Sequence, residues 1–194
     1  MMRLAVLASG SGSNLESILQ ALATHPTPPA QVVLVASNRA QAFALERARQ
    51  RHIATAVISK PSDGAALEAL LLEHRVDVVV LAGYLKLVPA EVVRRWSGAI
   101  LNIHPALLPK FGGAGMYGHH VHEAVLAAGD TESGATVHLV TDEYDRGAIL
   151  AQAHVPVLPG DTAQSLGARV LAAEHELYPR TLLSFVEQRA KRAS

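Results

Sequence analysis

The sequence predicts an α/β protein: a Rossmann-like, mostly parallel twisted sheet with helices on both faces. Three observations predict it. Short, nearly continuous apolar runs recur along the chain, as strands covered on both faces require. Helical stretches separate these runs, and alternation of strand and helix implies right-handed crossovers and parallel pairing. Finally, 49% of residues are hydrophobic and only 18% charged, below the usual quarter for charge, which marks a heavily buried chain.

The elements follow in order. Apolar runs at residues 4–8, 32–36, 53–58, 76–82 and 99–103 are predicted strands. Helices are predicted over 15–23, 40–51, 62–73 and 89–96, the last opening on Pro89, a residue suited to a first helical turn. Residues 104–118 are rich in Pro and Gly and form a long loop. A helix over 119–128 and strands over 135–140 and 148–155 come next, the second strand closed by Pro156 and Pro159. Asp161 is placed to N-cap a final helix that starts at Thr162 and runs into the 180s. The tail 189–194 is expected to fray.

The chain of 194 residues, at about 150 residues per domain, corresponds to a single domain spanning 1–194. It contains no cysteine, which excludes disulfides, thiol catalysis and zinc–thiolate sites. Lys+Arg and Asp+Glu are equal at 17. That balance argues against nucleic acid or an anionic membrane as the main partner. No apolar run approaches the roughly 18 residues of a membrane span, and the N-terminal run is too short for a signal peptide. The expectation is a cytoplasmic protein.

Three segments are candidates for chemistry. The turn Ser9-Gly10-Ser11-Gly12-Ser13-Asn14 lies between the first strand and the first helix. Glycines allow close backbone approach, and a helix N-terminus offers free N–H groups and a positive dipole end to phosphate. Leu15 stands where a dinucleotide fingerprint needs its third glycine, and no Lys-Ser/Thr ends the turn as in a Walker loop. The plainer alternative is a tight turn capped by Ser13 or Asn14. The second segment is Leu101-Asn102-Ile103-His104-Pro105. Strand alternation sends Asn102 and His104 to the same side, at the sheet edge where such folds bind ligands. An amide beside an imidazole suits a reaction that develops an oxyanion and moves a proton; the alternative is a structural buried pair. The third is the polar turn 141–147. A carboxylate from it beside His104 would set the imidazole tautomer and raise its pKa, and the residues alone leave Asp142, Glu143 and Asp145 open. Clustered His119, His120 and His122 lack the carboxylate spacing of a zincin, so no metal site is expected. Glu174-His175-Glu176 reads as an exposed mid-helix face.

Together these segments resemble the glycinamide ribonucleotide formyltransferase family of purine synthesis. The resemblance runs from Val6–Leu15 and Ser37-Asn38-Arg39-Ala40 through Val79–Leu87 and Leu101–Lys110 to Gly134-Ala135-Thr136-Val137-His138, Asp145 and Glu174-His175. It implies an enzyme that formylates the amine of a ribosyl phosphate, with 10-formyltetrahydrofolate as co-substrate. It places the catalytic Asn, His and Asp on Asn102, His104 and Asp145. It puts the phosphate loop on Gly12, Ser13 and Asn14, and the acidic substrate contact on Glu174. The backbone of Leu85, Lys86, Leu87 and Val88 falls on the pterin-recognition segment, and Lys60 near the folate tail. Small-molecule substrates, a monomer or homodimer, and a cis Leu108–Pro109 bond are also implied. In the implied mechanism a protonated His104, held charged by Asp145, and the Asn102 amide stabilise a tetrahedral intermediate. The glycine-rich loop 111–120 is a departure from many members and is expected to alter the substrate mouth. Leu171 stands where some members carry a polar contact, and nearby Arg169 need not replace it. The rivals are a formyltetrahydrofolate hydrolase, a formyltransferase acting on another amine, and a non-catalytic folate or nucleotide sensor.

Overall fold

The computed structural model describes residues 1–193. Its elements are β1 (Met2–Leu7), α1 (Ser13–Thr24), β2 (Ala30–Ser37), α2 (Phe43–Gln50), β3 (Ala54–Val57), α3 (Gly64–Glu73), β4 (Val78–Leu81) and α4 (Ala90–Arg95). Then follow β5 (Ile100–His104), α5 (His119–Ala127), β6 (Glu132–Leu139), β7 (Ile149–Pro156) and α6 (Ala163–Ala193). All seven strands join one sheet in the order β3-β2-β1-β4-β5-β6-β7. The first five pair in parallel, whereas β6 and β7 are antiparallel. Strand order reverses between β1 and β4, which opens a crevice at their C-terminal ends. The glycine–serine turn after β1 and the polar end of β5 both emerge there.

Strand alternation divides the core into two layers. Leu4, Val6, Val78 and Val80 face one side, against Leu15 and Ile18 of α1, Leu45 of α2, and Val170 and Leu177 of α6. Ala5, Leu7, Val79 and Leu81 face the other, against Leu67 and Leu71 of α3 and Val92 of α4. Burying each such Val or Leu side chain contributes about 1.5–3 kcal/mol, so both faces of the central strands are held. The expectation of full coverage fails at β3, whose residues are half-buried or exposed because it forms a sheet edge.

Two helix termini differ from expectation. The N-cap of α6 is Thr162, not Asp161: the Ser165 N–H donates to Thr162 Oγ1 at 3.1 Å and the Thr162 N–H donates to Ser165 Oγ at 2.9 Å. This reciprocal pairing satisfies two free donors of the first turn. Asp161 instead takes two hydrogen bonds from Arg169 at 2.8 and 3.0 Å. At the other end, the tail expected to fray continues α6 to Ala193; Ser194 lies outside the described residues. None of the described helices is long and apolar enough to cross a membrane.

Tyr178 pins α6 to the strand ends that carry the crevice. It is fully buried, and its hydroxyl lies 3.0 Å from the Leu81 carbonyl and 3.1 Å from the Leu101 carbonyl. One hydroxyl proton serves these acceptors in turn. Replacing Tyr178 by Phe is expected to lower stability by about 1 kcal/mol, the net worth of a typical buried hydrogen bond. Denaturant unfolding measures this, and unchanged stability would show that the hydroxyl anchors nothing.

Candidate active site

A cleft of about 550 Å³ occupies the crevice, within the range of small-molecule sites. Gly12, Asn14, Asn102, His104, Asp145 and Glu174 all line it. Residues more than 150 positions apart therefore meet, because β1 and β5 end at the same sheet edge and α6 crosses above them.

The imidazole of His104 is buried at the tip of β5. Its Nε2–H donates to the Phe111 carbonyl at 2.8 Å, and its Nδ1 faces Asp145 Oδ2 at 3.5 Å. The Gly113 N–H donates to the same carboxylate oxygen at 2.9 Å. The other oxygen, Oδ1, lies 3.4 Å from His138 Nε2. His138 is the residue the sequence reading left without a role. It sits on β6 directly across from Asn102 on β5, and Asn102 Nδ2 lies 3.1 Å from its Nε2. The His138 Nδ1–H donates to the Leu139 carbonyl at 2.8 Å. When Nδ1 carries the only ring proton, Nε2 accepts from Asn102. The second N–H of the amide remains available to the cleft. Asp142 and Glu143 are exposed, so the geometry selects Asp145 among the three acids.

Electrostatics revise one expectation. Burial lowers the His104 pKa more than Asp145 and the Phe111 carbonyl raise it, and the nearby His138 lowers it further. The net shift is downward, so His104 is neutral at pH 7 rather than held protonated. Burial pushes Asp145 upward, but His138, His104 and the Gly113 N–H together hold its pKa below the usual carboxylate value.

The glycine–serine turn presents an open helix end. Gly12, at φ 72°, is the N-cap of α1 and no side chain caps the helix. Neither Ser13 nor Asn14 plays the capping role. A Cβ at Gly12 would lie 2.8 Å from Ala44 Cα, so both the backbone angle and the close packing require glycine. Arg47 braces the turn, donating from Nε to the Ser11 carbonyl at 2.9 Å and pairing with Glu16 at 3.1 Å. Asn14 Nδ2 donates to Glu174 Oε2 at 2.6 Å across the α1–α6 interface. Glu174 is therefore buried, contrary to the exposed helix face read from the residues alone. Desolvation raises its pKa to about 7 against the opposing effect of Asn14.

Other expected residues divide. Leu85 lines the cleft, but Lys86 and Leu87 are exposed outside it, Val88 is buried in the core, and Lys60 is exposed away from it. Loop residues 113 and 115–118 form part of the cleft wall, as expected of a departure near the mouth. Leu171 lines the cleft, and Arg169 is engaged by Asp161 rather than taking its place. The Leu108–Pro109 bond is cis, as the resemblance implied. Thr136 supports that turn, accepting from the Leu108 N–H at 3.1 Å and donating to the Ala106 carbonyl at 2.6 Å. His119, His120 and Glu123 form an exposed cluster with donor atoms within 4.8 Å of one another; the sequence reading had not included Glu123.

An amide, an imidazole and a carboxylate that meet at the carboxyl edge of the sheet suit a reaction that develops an oxyanion and moves a proton. The sequence profile of the formyl transferase family matches residues 2–182. The chain is 42% identical over 196 residues to the Escherichia coli phosphoribosylglycinamide formyltransferase, covering 98% of this chain and 90% of that protein. It is 45% identical over 196 residues to the chloroplastic phosphoribosylglycinamide formyltransferase of Arabidopsis thaliana, covering 97% of this chain and 67% of that protein. It spans 62% of the Vigna unguiculata counterpart and 14% of a Drosophila pseudoobscura trifunctional purine biosynthetic protein. The solved glycinamide ribonucleotide transformylase 1 of Symbiobacterium toebii superposes with a TM-score of 0.90 at 42% identity, covering 97% of this chain and 89% of that one. The chain belongs to the formyl transferase family, among the phosphoribosylglycinamide formyltransferases. It is accordingly an enzyme of the purine-biosynthetic class that its relatives' names describe.

The raised pKa of Glu174 gives a test of stability against pH. Between pH 4.5 and about 7 the folded protein binds a proton that the unfolded chain does not. The stability of the protonated form is fully present below pH 4.5 and is lost as pH rises through 7. Glu174→Gln, which carries no charge to desolvate, is expected to exceed the parent in stability by roughly 3 kcal/mol at pH 8. The difference should vanish near pH 4. Thermal unfolding across this range measures it; a constant difference would contradict the buried-carboxylate assignment.

Proposed function

We propose that this cleft transfers the formyl group of 10-formyltetrahydrofolate to the amine of glycinamide ribonucleotide. The observation that carries the reading is the meeting of Asn102, His104 and Asp145 in one cleft with an uncapped helix N-terminus. The first-turn N–H groups of α1, at Ser13 and Asn14, take the substrate phosphate with the favourable end of the helix dipole. Glu174, oriented by Asn14, faces the ribosyl-glycinamide portion.

The neutral substrate amine attacks the formyl carbon, and negative charge develops on the former carbonyl oxygen. Asn102 donates its second N–H to that oxygen. His104 enters neutral and accepts the proton leaving the amine nitrogen. Asp145 stabilises the imidazolium so formed, since the ring then has a proton on each nitrogen. The same proton passes to the departing folate nitrogen as the carbon–nitrogen bond breaks. The ring ends as it began, and proton transfer through a water suffices for either step.

Asn102→Ala and His104→Ala are each expected to lower turnover by at least about a hundredfold, the typical loss for one oxyanion donor, while circular dichroism shows a folded protein. Near-parental turnover in both would remove the mechanism. Asn14→Ala is expected to raise KM for the ribonucleotide several-fold more than KM for the folate, as loss of a substrate-side contact requires. Steady-state kinetics in each substrate decides this, and equal changes would contradict the assignment of the turn. Folate deformylation measured with and without the ribonucleotide separates transfer from hydrolysis.

A further inference from the structure

His122, in the first turns of α5, is unused by the mechanism above, yet it is buried in the wall of the same cleft. Neither of its ring nitrogens has a hydrogen-bond partner among the described residues, and Nδ1 is sealed from solvent whereas Nε2 is not. An N–H buried without an acceptor is rare and costly, more so than an unpaired acceptor. The proton of the neutral ring therefore belongs on Nε2. Burial, then His104 and His119, lower the His122 pKa, which keeps the ring neutral at pH 7. The result is a single N–H donor turned toward the ligand space.

The opposing helix is shaped to admit this ring. A Cβ at Gly167 of α6 would lie 2.9 Å from His122 Cδ2 and 3.1 Å from Nε2, closer than side-chain contacts allow without displacement. Gly167, Leu171 and Glu174 all line the cleft at the spacing of one helix face. The His122 ring thus stands on the same wall as Glu174, about 10 Å along the helix axis, and within electrostatic reach of His104. The glycinamide arm of the acceptor extends from the ribose toward the reacting amine beside His104. Its amide carbonyl is the acceptor oxygen nearest that amine.

We propose that His122 is a specificity-determining residue, donating from Nε2 to the amide carbonyl oxygen of the ribonucleotide acceptor, and that Gly167 is a glycine because it makes room for that ring. The inference rests on the function proposed above. It assigns the contact to ground-state binding of one substrate, not to the chemical step.

Steady-state kinetics of the full chain with glycinamide ribonucleotide and 10-formyltetrahydrofolate tests it. His122→Ala should raise KM for the ribonucleotide about tenfold, the loss of one hydrogen bond with a desolvated site, with kcat within about twofold and KM for the folate unchanged. His122→Gln, whose amide nitrogen reaches the place of Nε2, should restore most of the affinity. Gly167→Ala should raise the same KM by displacing the ring, while circular dichroism shows that the variant stays folded. The double variant His122→Ala/Gly167→Ala should be no worse than His122→Ala alone. Ribonucleotide KM within twofold of the parent in both single variants, or a change confined to the folate, overturns the proposal. Should His122→Ala not fold, the Gln and Gly167→Ala variants decide. Absence of transfer by the parent chain would instead sink the function reading, and it shows before any variant is compared.

Discussion

A carboxylate held out of water between two imidazoles is the constraint on which the site depends. Taking Asp145 from solvent is unfavourable unless donors replace the water it loses. The Gly113 N–H does so directly, and His104 and His138 face its two oxygens at 3.5 and 3.4 Å. Each of these partners comes from a different part of the fold: the tip of β5, the middle of β6 and the loop after the cis proline. Asp145 itself sits at φ 54°, in the left-handed region that Asp tolerates better than most residues. The pairing of β5 with β6 and the path of the loop are thus both read out at one carboxyl group.

The cleft holds two acids whose surroundings drive them in opposite directions. Asp145 accepts the Gly113 N–H, faces two imidazoles and is held below the usual carboxylate range, whereas Glu174 has one amide partner and is raised to about 7. The contrast separates their chemistry. In the proposed mechanism Asp145 supplies a fixed negative charge that stabilises a proton arriving on His104. Glu174 near neutrality exists in both forms, so it can accept from or donate to a polar ligand group. The downward shift of His104 fits this division. An imidazole that is neutral in the free protein can accept a proton, which one already charged cannot.

Much of the fold was legible because strands and helices announce themselves locally. Each predicted strand and helix coincides with an observed one to within three residues at its start, and the alternation of Asn102 and His104 held. The site was legible only in part. Choosing Asp145 over Asp142 and Glu143 needed the conformation of a turn, which the residues alone left open and the family resemblance resolved. His138 lay in a recognised motif, and alternation along β6 already placed it on the face of Thr136. Its role depends on the antiparallel register that sets it opposite Asn102, and register is a property of two strands. Glu174 falls at the four-residue spacing of Leu166, Val170, Tyr178 and Leu182, the buried stripe of α6, so helix periodicity could have found it; a carboxylate reads as exposed because acids are seldom buried. The His104 shift escaped for a different reason: sequence identifies the neighbouring charge but not the depth of burial that opposes it.

The glycine-rich loop, a departure when read as sequence, is bound into the reacting centre by its main chain. Phe111 offers its carbonyl to His104 and Gly113 its N–H to Asp145. Between them, a Cβ at Gly112 would lie 2.6 Å from Leu108 Cδ2 and 3.1 Å from Asp145 Cβ. A side chain there would push apart the two segments that the flanking hydrogen bonds draw together. Backbone groups hold the imidazole and the carboxylate, so the identity of the loop side chains is free to vary where the chain then widens into the cleft wall. Main-chain path and the absence of a Cβ at one position therefore carry the constraint, which is why a loop of unusual composition is compatible with an Asn-His-Asp site.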